Sequence, residues 1–171
     1  MIESMTGAEL QTMREACNLS REGLASLAGV QARTIKHWES GRAGVPADVA
    51  ALIERLDDLI DTQASQAIQT LTTTQTPPML IRYASDDDMR HYLPALRAMP
   101  ASLQGAILGR ASRQLCETFG MQSRIVWMRP EVYEAWRAAH QLPDTEASRQ
   151  QWGADQLSAQ TRPHRADQPP V

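Results

Sequence analysis

The sequence predicts a mainly α-helical protein: a bundle with a long fourth helix, then a small α+β unit and a disordered tail. In residues 1–71, apolar side chains recur at helical spacing between capping residues. Residues 72–78, TTTQTPP, disfavour helix and indicate a linker. Two short apolar segments, 79–84 and 123–128, then alternate with helical patterns in residues 79–143, which is typical of an α+β unit.

The first two predicted helices are short and have recognisable starts. Thr6 followed by Glu9 is a capping box, in which the hydroxyl and the carboxylate each satisfy a free amide, and the helix continues to about Cys17. Ser20 is a suitable N-cap for a second helix over residues 21–28.

A third helix is predicted over residues 32–40, between two glycines. Gly29 can end the second helix with a positive φ angle, and Gly41 follows the third. On a helical wheel Ile35 and Trp38 share one face, so we expect Trp38 to pack in the core rather than to stack on a ligand. The opposite face carries hydrogen-bond donors and little carboxylate.

A long fourth helix is predicted after Pro46, which suits a first helical turn. Its apolar stripe continues past the polar segment DTQASQ and consists of Val49, Leu52, Ile53, Leu56, Ile60, Ile68 and Leu71. The pattern therefore predicts one helix up to the linker.

The second unit, residues 79–143, contains two predicted strands and three predicted helices. The helices begin at the Ser85–Asp88 cluster, at about Ser102, and at Pro130. The residues expected to face inward in the last two helices are Leu108, Ala111, Leu115, Phe119, Val132, Tyr133, Trp136 and Ala139. From Asp144 onward the chain is rich in Gln, Ala, Asp and Pro, so residues 144–171 are expected to be a mostly disordered tail.

Composition restricts the class of protein. The chain has 171 residues, of which 42% are hydrophobic and 22% are charged. No apolar run is long enough to span a membrane, and the first residues do not resemble an export signal, so we expect a cytoplasmic protein with no membrane partner. Cys17 and Cys116 are expected to be reduced core residues.

No catalytic or metal-binding pattern is recognisable. The four histidines are scattered, and there is no glycine-rich phosphate loop, serine elbow or Cys–His pattern. The acidic run Asp86–Asp88 lies at a predicted helix start, where carboxylates need no ion. We therefore expect no enzyme activity, no metal and no cofactor.

The stretch LASLAGVQARTIKHWESGR, residues 24–42, resembles the helix-turn-helix of repressor/Cro (Xre) transcriptional regulators. The resemblance covers about residues 6–60 and departs from the family at Gln31, where Ser or Thr is usual. The run WESGRAGVPADV, the long helix and the pattern of the second unit also resemble phage repressors that control anti-CRISPR operons. Residues 1–71 are thus expected to be a DNA-binding domain.

The resemblance implies a role for individual residues. The positions turned toward the major groove are Gln31, Ala32, Arg33, Lys36 and His37. The positions near phosphates are Arg21, Ser40 and Arg42. Gln31 could equally serve as a helix cap, and Lys36 suits phosphate better than a base. Arg14 and Glu39 occupy the positions of a structural ion pair between the first and third helices.

The expected function is a sequence-specific, autoregulatory repressor that binds a double-stranded operator with inverted repeats as a homodimer. The net charge of −3 argues against nucleic acid, but the acidity is concentrated in ERLDDLID, outside the binding segment. The second unit is the expected dimerisation surface, because Gly105 and Gly109 lie on one helix face. A regulator of a toxin–antitoxin pair and an RNA- or protein-binding adaptor are the alternatives.

Overall fold

The computed structural model describes residues 4–71 and 78–161. The helices of the first unit are α1 (Gly7–Ala16), α2 (Arg21–Ala28), α3 (Ala32–Glu39) and α4 (Ala47–Leu71). After them come β1 (Met79–Arg82), α5 (Asp86–Tyr92), a 3-10 turn (Pro94–Leu96), α6 (Ala101–Phe119), β2 (Arg124–Trp127), α7 (Pro130–His140) and α8 (Glu146–Thr161). The mainly helical fold with a small sheet confirms the predicted class.

The boundaries of the first helices follow the predicted caps. Thr6 N–H donates to the Glu9 carboxylate at 2.7 Å, and the Glu9 amide donates to the Thr6 hydroxyl at 3.2 Å. Ser20 caps α2 by accepting from the amide of Gly23 at 3.0 Å. Gly29 ends α2 in the left-handed region, with φ of 67°, where a side chain would be strained.

The fourth helix is continuous over 25 residues. Val49, Ile53, Ile60 and Ile68 are all buried along one side, so its stripe does extend past the polar segment, as predicted. The predicted linker lies almost entirely outside the described residues, which resume at Pro78.

The two strands form a parallel pair in which Leu80 lies beside Ile125 and Arg82 beside Trp127. Parallel strands need a crossover, and α5 and α6 provide it. The side chain of Gln104 on α6 covers the outer edge of β1: its amide donates to the carbonyl of Ile81 at 3.0 Å, and its oxygen accepts from the amide of Tyr83 at 3.0 Å. The opposite edge of the sheet belongs to β2.

The prediction of disorder from Asp144 is wrong for residues 146–161, which form α8. Trp152 on this helix is fully buried, and its ring meets that of Tyr133 edge-on with centroids 5.6 Å apart. A Cβ atom at Gly153 would lie 3.0 Å from the side chain of Ile81 and 3.1 Å from that of Val126, so α8 approaches the sheet closely there. Residues 162–171 lie outside the described residues.

The two units share one hydrophobic core. Buried residues of α1, α4, α6, α7 and α8 belong to a single contiguous cluster. Arg110 on α6 forms ion pairs with Asp57 and Asp61 on α4. Asn18, in the turn between α1 and α2, donates to the carbonyl of Ser102 at 2.8 Å. The chain from 79 onward therefore packs against the first unit.

Three side chains of the second unit that were predicted to be buried are exposed. Phe119 is 49% exposed, because it is the last residue of α6 and Gly120 turns the chain away directly after it. Ala139 faces solvent, since α8 packs against α7 without covering this side chain. Cys116 is exposed too, whereas Cys17 is buried as predicted.

Candidate nucleic-acid interface

An arginine–glutamate cluster joins the first three helices. Arg14 on α1 donates from Nε to one carboxylate oxygen of Glu39 at 2.5 Å. Arg21, at the start of α2, donates from Nε to the other oxygen at 2.6 Å. Arg14 also donates to the carbonyl of Leu19 at 2.7 Å. The predicted Arg14–Glu39 pair is therefore present, but it has a third member that the sequence did not indicate.

The Glu39 carboxylate is only 2% exposed and remains the charged partner of this cluster. Burial by itself would raise its pKa, but hydrogen bonds and charge from Arg14 and Arg21 outweigh burial, so the pKa of Glu39 is lowered from its ordinary value. Gly7 contributes to the same junction, because a Cβ atom there would overlap the carbonyl oxygens of Trp38 and Glu39. The start of α1 can thus lie directly against the end of α3.

One face of α3 is anchored in the core. Ile35 is fully buried and Trp38 is 8% exposed, which confirms the core position predicted for Trp38. Ala32 is partly buried and packs against the same cluster, so it is less outward than predicted. Because two large side chains and the Glu39 ion pairs fix α3, its opposite face has a defined orientation.

That opposite face is cationic and exposed. The side chains of Gln31, Arg33, Lys36 and His37 all face solvent. Within the described residues, none of the three basic side chains has a hydrogen bond or an ion pair. Gln31 precedes the helix, but its side chain makes no capping bond. The amide of Gln31 therefore stays available for an external partner.

The turn that follows α3 adds a further free cation, Arg42. Arg42 is exposed and its guanidinium has no partner in residues 4–71 or 78–161. The Ser40 hydroxyl instead donates to the carbonyl of His37 at 3.1 Å, so a phosphate contact from Ser40 would first break this bond. The predicted phosphate role of Ser40 stays a prediction, and Arg42 is the better placed of the two.

The guanidinium of Arg21 is only partly used by its ion pair with Glu39. Its bond to Glu39 uses Nε, and its side chain is 41% exposed. A contact from its terminal nitrogens to a phosphate at the start of α2 stays a prediction that is compatible with the ion pair. No local pattern indicates the ion pair itself, because Arg21 and Glu39 are 18 residues apart.

The acidic residues of α4 are partly neutralised inside the protein. Asp57 and Asp61 both pair with Arg110, so two carboxylates of ERLDDLID are compensated by a residue of the second unit. The local charge near α3 is therefore more positive than the total charge of −3 suggests.

Residues 4–71 and 78–161 contain no group of three or more His, Cys, Asp or Glu side chains that could hold a metal ion. None of the described helices combines the length and the apolar character that crossing a bilayer requires.

Comparison with known proteins finds a similarity in the first unit. No curated protein matches the chain significantly. Residues 6–67, however, match the helix-turn-helix domain family, which covers α1 to α3 and most of α4. Over these residues the chain is similar to helix-turn-helix domains.

Proposed function

We propose that this protein is a sequence-specific transcriptional regulator that inserts α3 into the major groove of double-stranded DNA. The observation that carries the proposal is the exposed face of α3, on which Arg33, Lys36 and His37 have no intramolecular partner among the described residues. A cationic helix face held rigidly by a buried opposite face suits a groove bordered by phosphates.

Each side chain on this face has a distinct part in the proposal. Arg33 projects from the first turn of α3, where its planar fork can donate to O6 and N7 of a guanine. Gln31 makes no cap bond, which favours pairing with adenine over the capping role. Lys36 and Arg42 supply charge for phosphates. His37 adds a donor, and Ala32 allows close approach to a thymine methyl group.

The proposal extends to a homodimer in which the open edge of β2 pairs with a second copy. The N–H groups of Arg124 and Met128 donate toward β1. By the alternation of a strand, the backbone groups of Ile125 and Trp127 then point to the open edge. These two residues are also 45% and 54% exposed.

The register of such a pairing favours a second copy over an unrelated strand. If two β2 strands run antiparallel about Val126, each Ile125 lies opposite the Trp127 of its partner. The facing residues are on the same side of the sheet and exchange two hydrogen bonds per pair. Gly105 does not serve this surface, because a Cβ atom there would lie 2.7 Å from Arg82 of the same chain. Gly109 is open.

We also propose the form of the operator and the kind of regulator. A symmetric dimer presents two α3 helices about 34–36 Å apart, so the operator is an imperfect inverted repeat. We favour an autoregulatory repressor of phage origin, of the kind that controls anti-CRISPR operons, on the resemblance of WESGRAGVPADV and of the second-unit pattern.

A gel-shift experiment with the purified protein and the DNA upstream of its own gene tests the proposal, with unrelated DNA as competitor. Arg33→Ala should weaken specific binding by about 1–3 kcal/mol, the loss expected for one bidentate base contact. Arg113→Ala is the matched control, because Arg113 is exposed and unpaired within the described residues but lies on α6. Equal binding to all DNA sequences, or equal effects of the two substitutions, would contradict base reading by α3.

A further inference from the structure

An open cavity of about 340 Å³ lies between the helix-turn-helix domain and the second unit. Asn18, Ser20 and Gly23 line it from the turn before α2 and from the first turn of that helix, and Arg82 and Trp127 line it from the sheet. Among the described residues that line the cavity, Arg82 alone is charged, so this lining has an uncompensated positive charge.

Arg82 differs from the other arginines of the described residues that are buried or partly buried. Five of them have carboxylate partners, namely Arg14, Arg21, Arg110, Arg137 and Arg149. Arg82 is also partly buried, yet it has no ion pair and no side-chain hydrogen bond within residues 4–71 and 78–161. Its Nε is shielded from solvent without an acceptor. Burying a guanidinium without an anionic partner costs free energy. The other five arginines avoid this cost through their carboxylate partners.

The surroundings hold the Arg82 guanidinium at the cavity. It lies over the ring of Trp127, with its central carbon 4.7 Å from the ring centroid. The missing side chain at Gly105 leaves the room it occupies, since a Cβ atom there would be 2.7 Å from Nη2 of Arg82. The bond from Asn18 to the carbonyl of Ser102 fixes a neighbouring part of the lining. The donor is therefore held in place without a carboxylate.

We propose that this cavity binds a phosphate group, with Arg82 as its principal donor. A planar guanidinium fork matches phosphate oxygens, and the described residues that line the cavity include no carboxylate that would repel an anion. The phosphate has two possible sources: the DNA backbone beside the start of α2, or a small phosphorylated molecule. A DNA source rests on the proposed function and adds a contact from the second unit to the DNA interface. A small phosphorylated molecule as the source does not depend on the proposed function.

Inorganic phosphate is the first probe. The melting temperature of the full chain is measured at pH 7 while phosphate replaces chloride at constant ionic strength. A rise with phosphate is expected for the wild type and for Arg113→Gln, and its loss is expected for Arg82→Gln. Arg82→Lys keeps the charge but not the fork, so a reduced rise is expected. This variant keeps the test decisive if Arg82→Gln does not fold. Equal rises in the wild type and the folded Arg82 variants, or no rise in the wild type, overturn the proposal.

The salt dependence of binding to duplex DNA separates the two sources. If the phosphate belongs to DNA, Arg82→Gln should reduce the slope of log K against log salt by about 0.9 per subunit, and Arg113→Gln should not. If phosphate stabilises the wild type through Arg82 but the slope is unchanged, the site takes a free phosphorylated molecule. Wild-type protein that is stabilised by phosphate yet binds no DNA would refute the proposed function while supporting the cavity as a free-phosphate site.

Discussion

Replacing Glu39 with alanine should destabilise the protein by about 3–5 kcal/mol, because it leaves the sheltered Arg14 without its counter-charge. The side chains of Arg14 and Glu39 are 8% and 2% exposed, so this pair behaves as a buried one. Arg21 is 41% exposed and can turn to solvent, so its bond to Glu39 should add no more than about 0–1 kcal/mol.

The double variant Arg14→Met/Glu39→Met should be far less damaging than Glu39→Ala. It removes both charges from the buried pair and leaves the carbonyl of Leu19 without the Arg14 donor, which costs about 1 kcal/mol. Arg21→Ala is the matched control, because it removes only the more exposed ion pair, between Arg21 and Glu39. Urea unfolding followed by circular dichroism gives each free energy of unfolding. A loss below about 1 kcal/mol for Glu39→Ala, or a double variant as unstable as the single one, would refute the buried-pair reasoning.

Acid provides an independent check on the same cluster. Folding lowers the pKa of Glu39 below its ordinary value of 4.5, so the folded state resists protonation of this carboxylate more than the unfolded state does. The stabilisation is therefore fully present above the ordinary pKa and is lost as pH falls through the folded pKa. In Glu39→Gln, the free energy of unfolding should therefore lose the part of its decrease at low pH that Glu39 contributes. An identical pH profile of stability in the two proteins would contradict it.

The remaining predictions concern the second unit and the thiols. Trp152→Ala should cost about 3–5 kcal/mol in urea unfolding because it empties a fully buried site; Trp152→Phe should cost much less, since Nε1 has no partner among the described residues. At pH 8 a maleimide should modify exposed Cys116 rapidly and Cys17 only on unfolding, because burial raises the pKa of the Cys17 thiol to about 11; peptide mapping that finds both labelled at once would contradict this. Ile125→Lys should shift the protein toward monomer in sedimentation, whereas an unchanged dimer would place the interface elsewhere.

Local signals were sufficient for the first unit. The caps at Thr6 and Ser20 and the left-handed turn at Gly29 act within a few residues, so they could be read directly from the sequence. The spacing of Ile35 and Trp38 fixed which side of α3 is buried. The same periodicity indicated which face of α3 is exposed to solvent.

Tertiary packing decided what no local pattern encodes. Helix α8 has no continuous apolar stripe, and its position depends on one buried tryptophan and on close approach at Gly153, so its composition resembled that of a disordered tail. Arg21 reaches Glu39 and Arg110 reaches Asp57 only because separate helices meet. Arg82 shows the converse. It has no carboxylate partner within residues 4–71 and 78–161, and only the folded arrangement of its neighbours reveals this. Ion pairs and cavities depend on distances between remote residues, and chain folding, rather than sequence spacing, sets those distances.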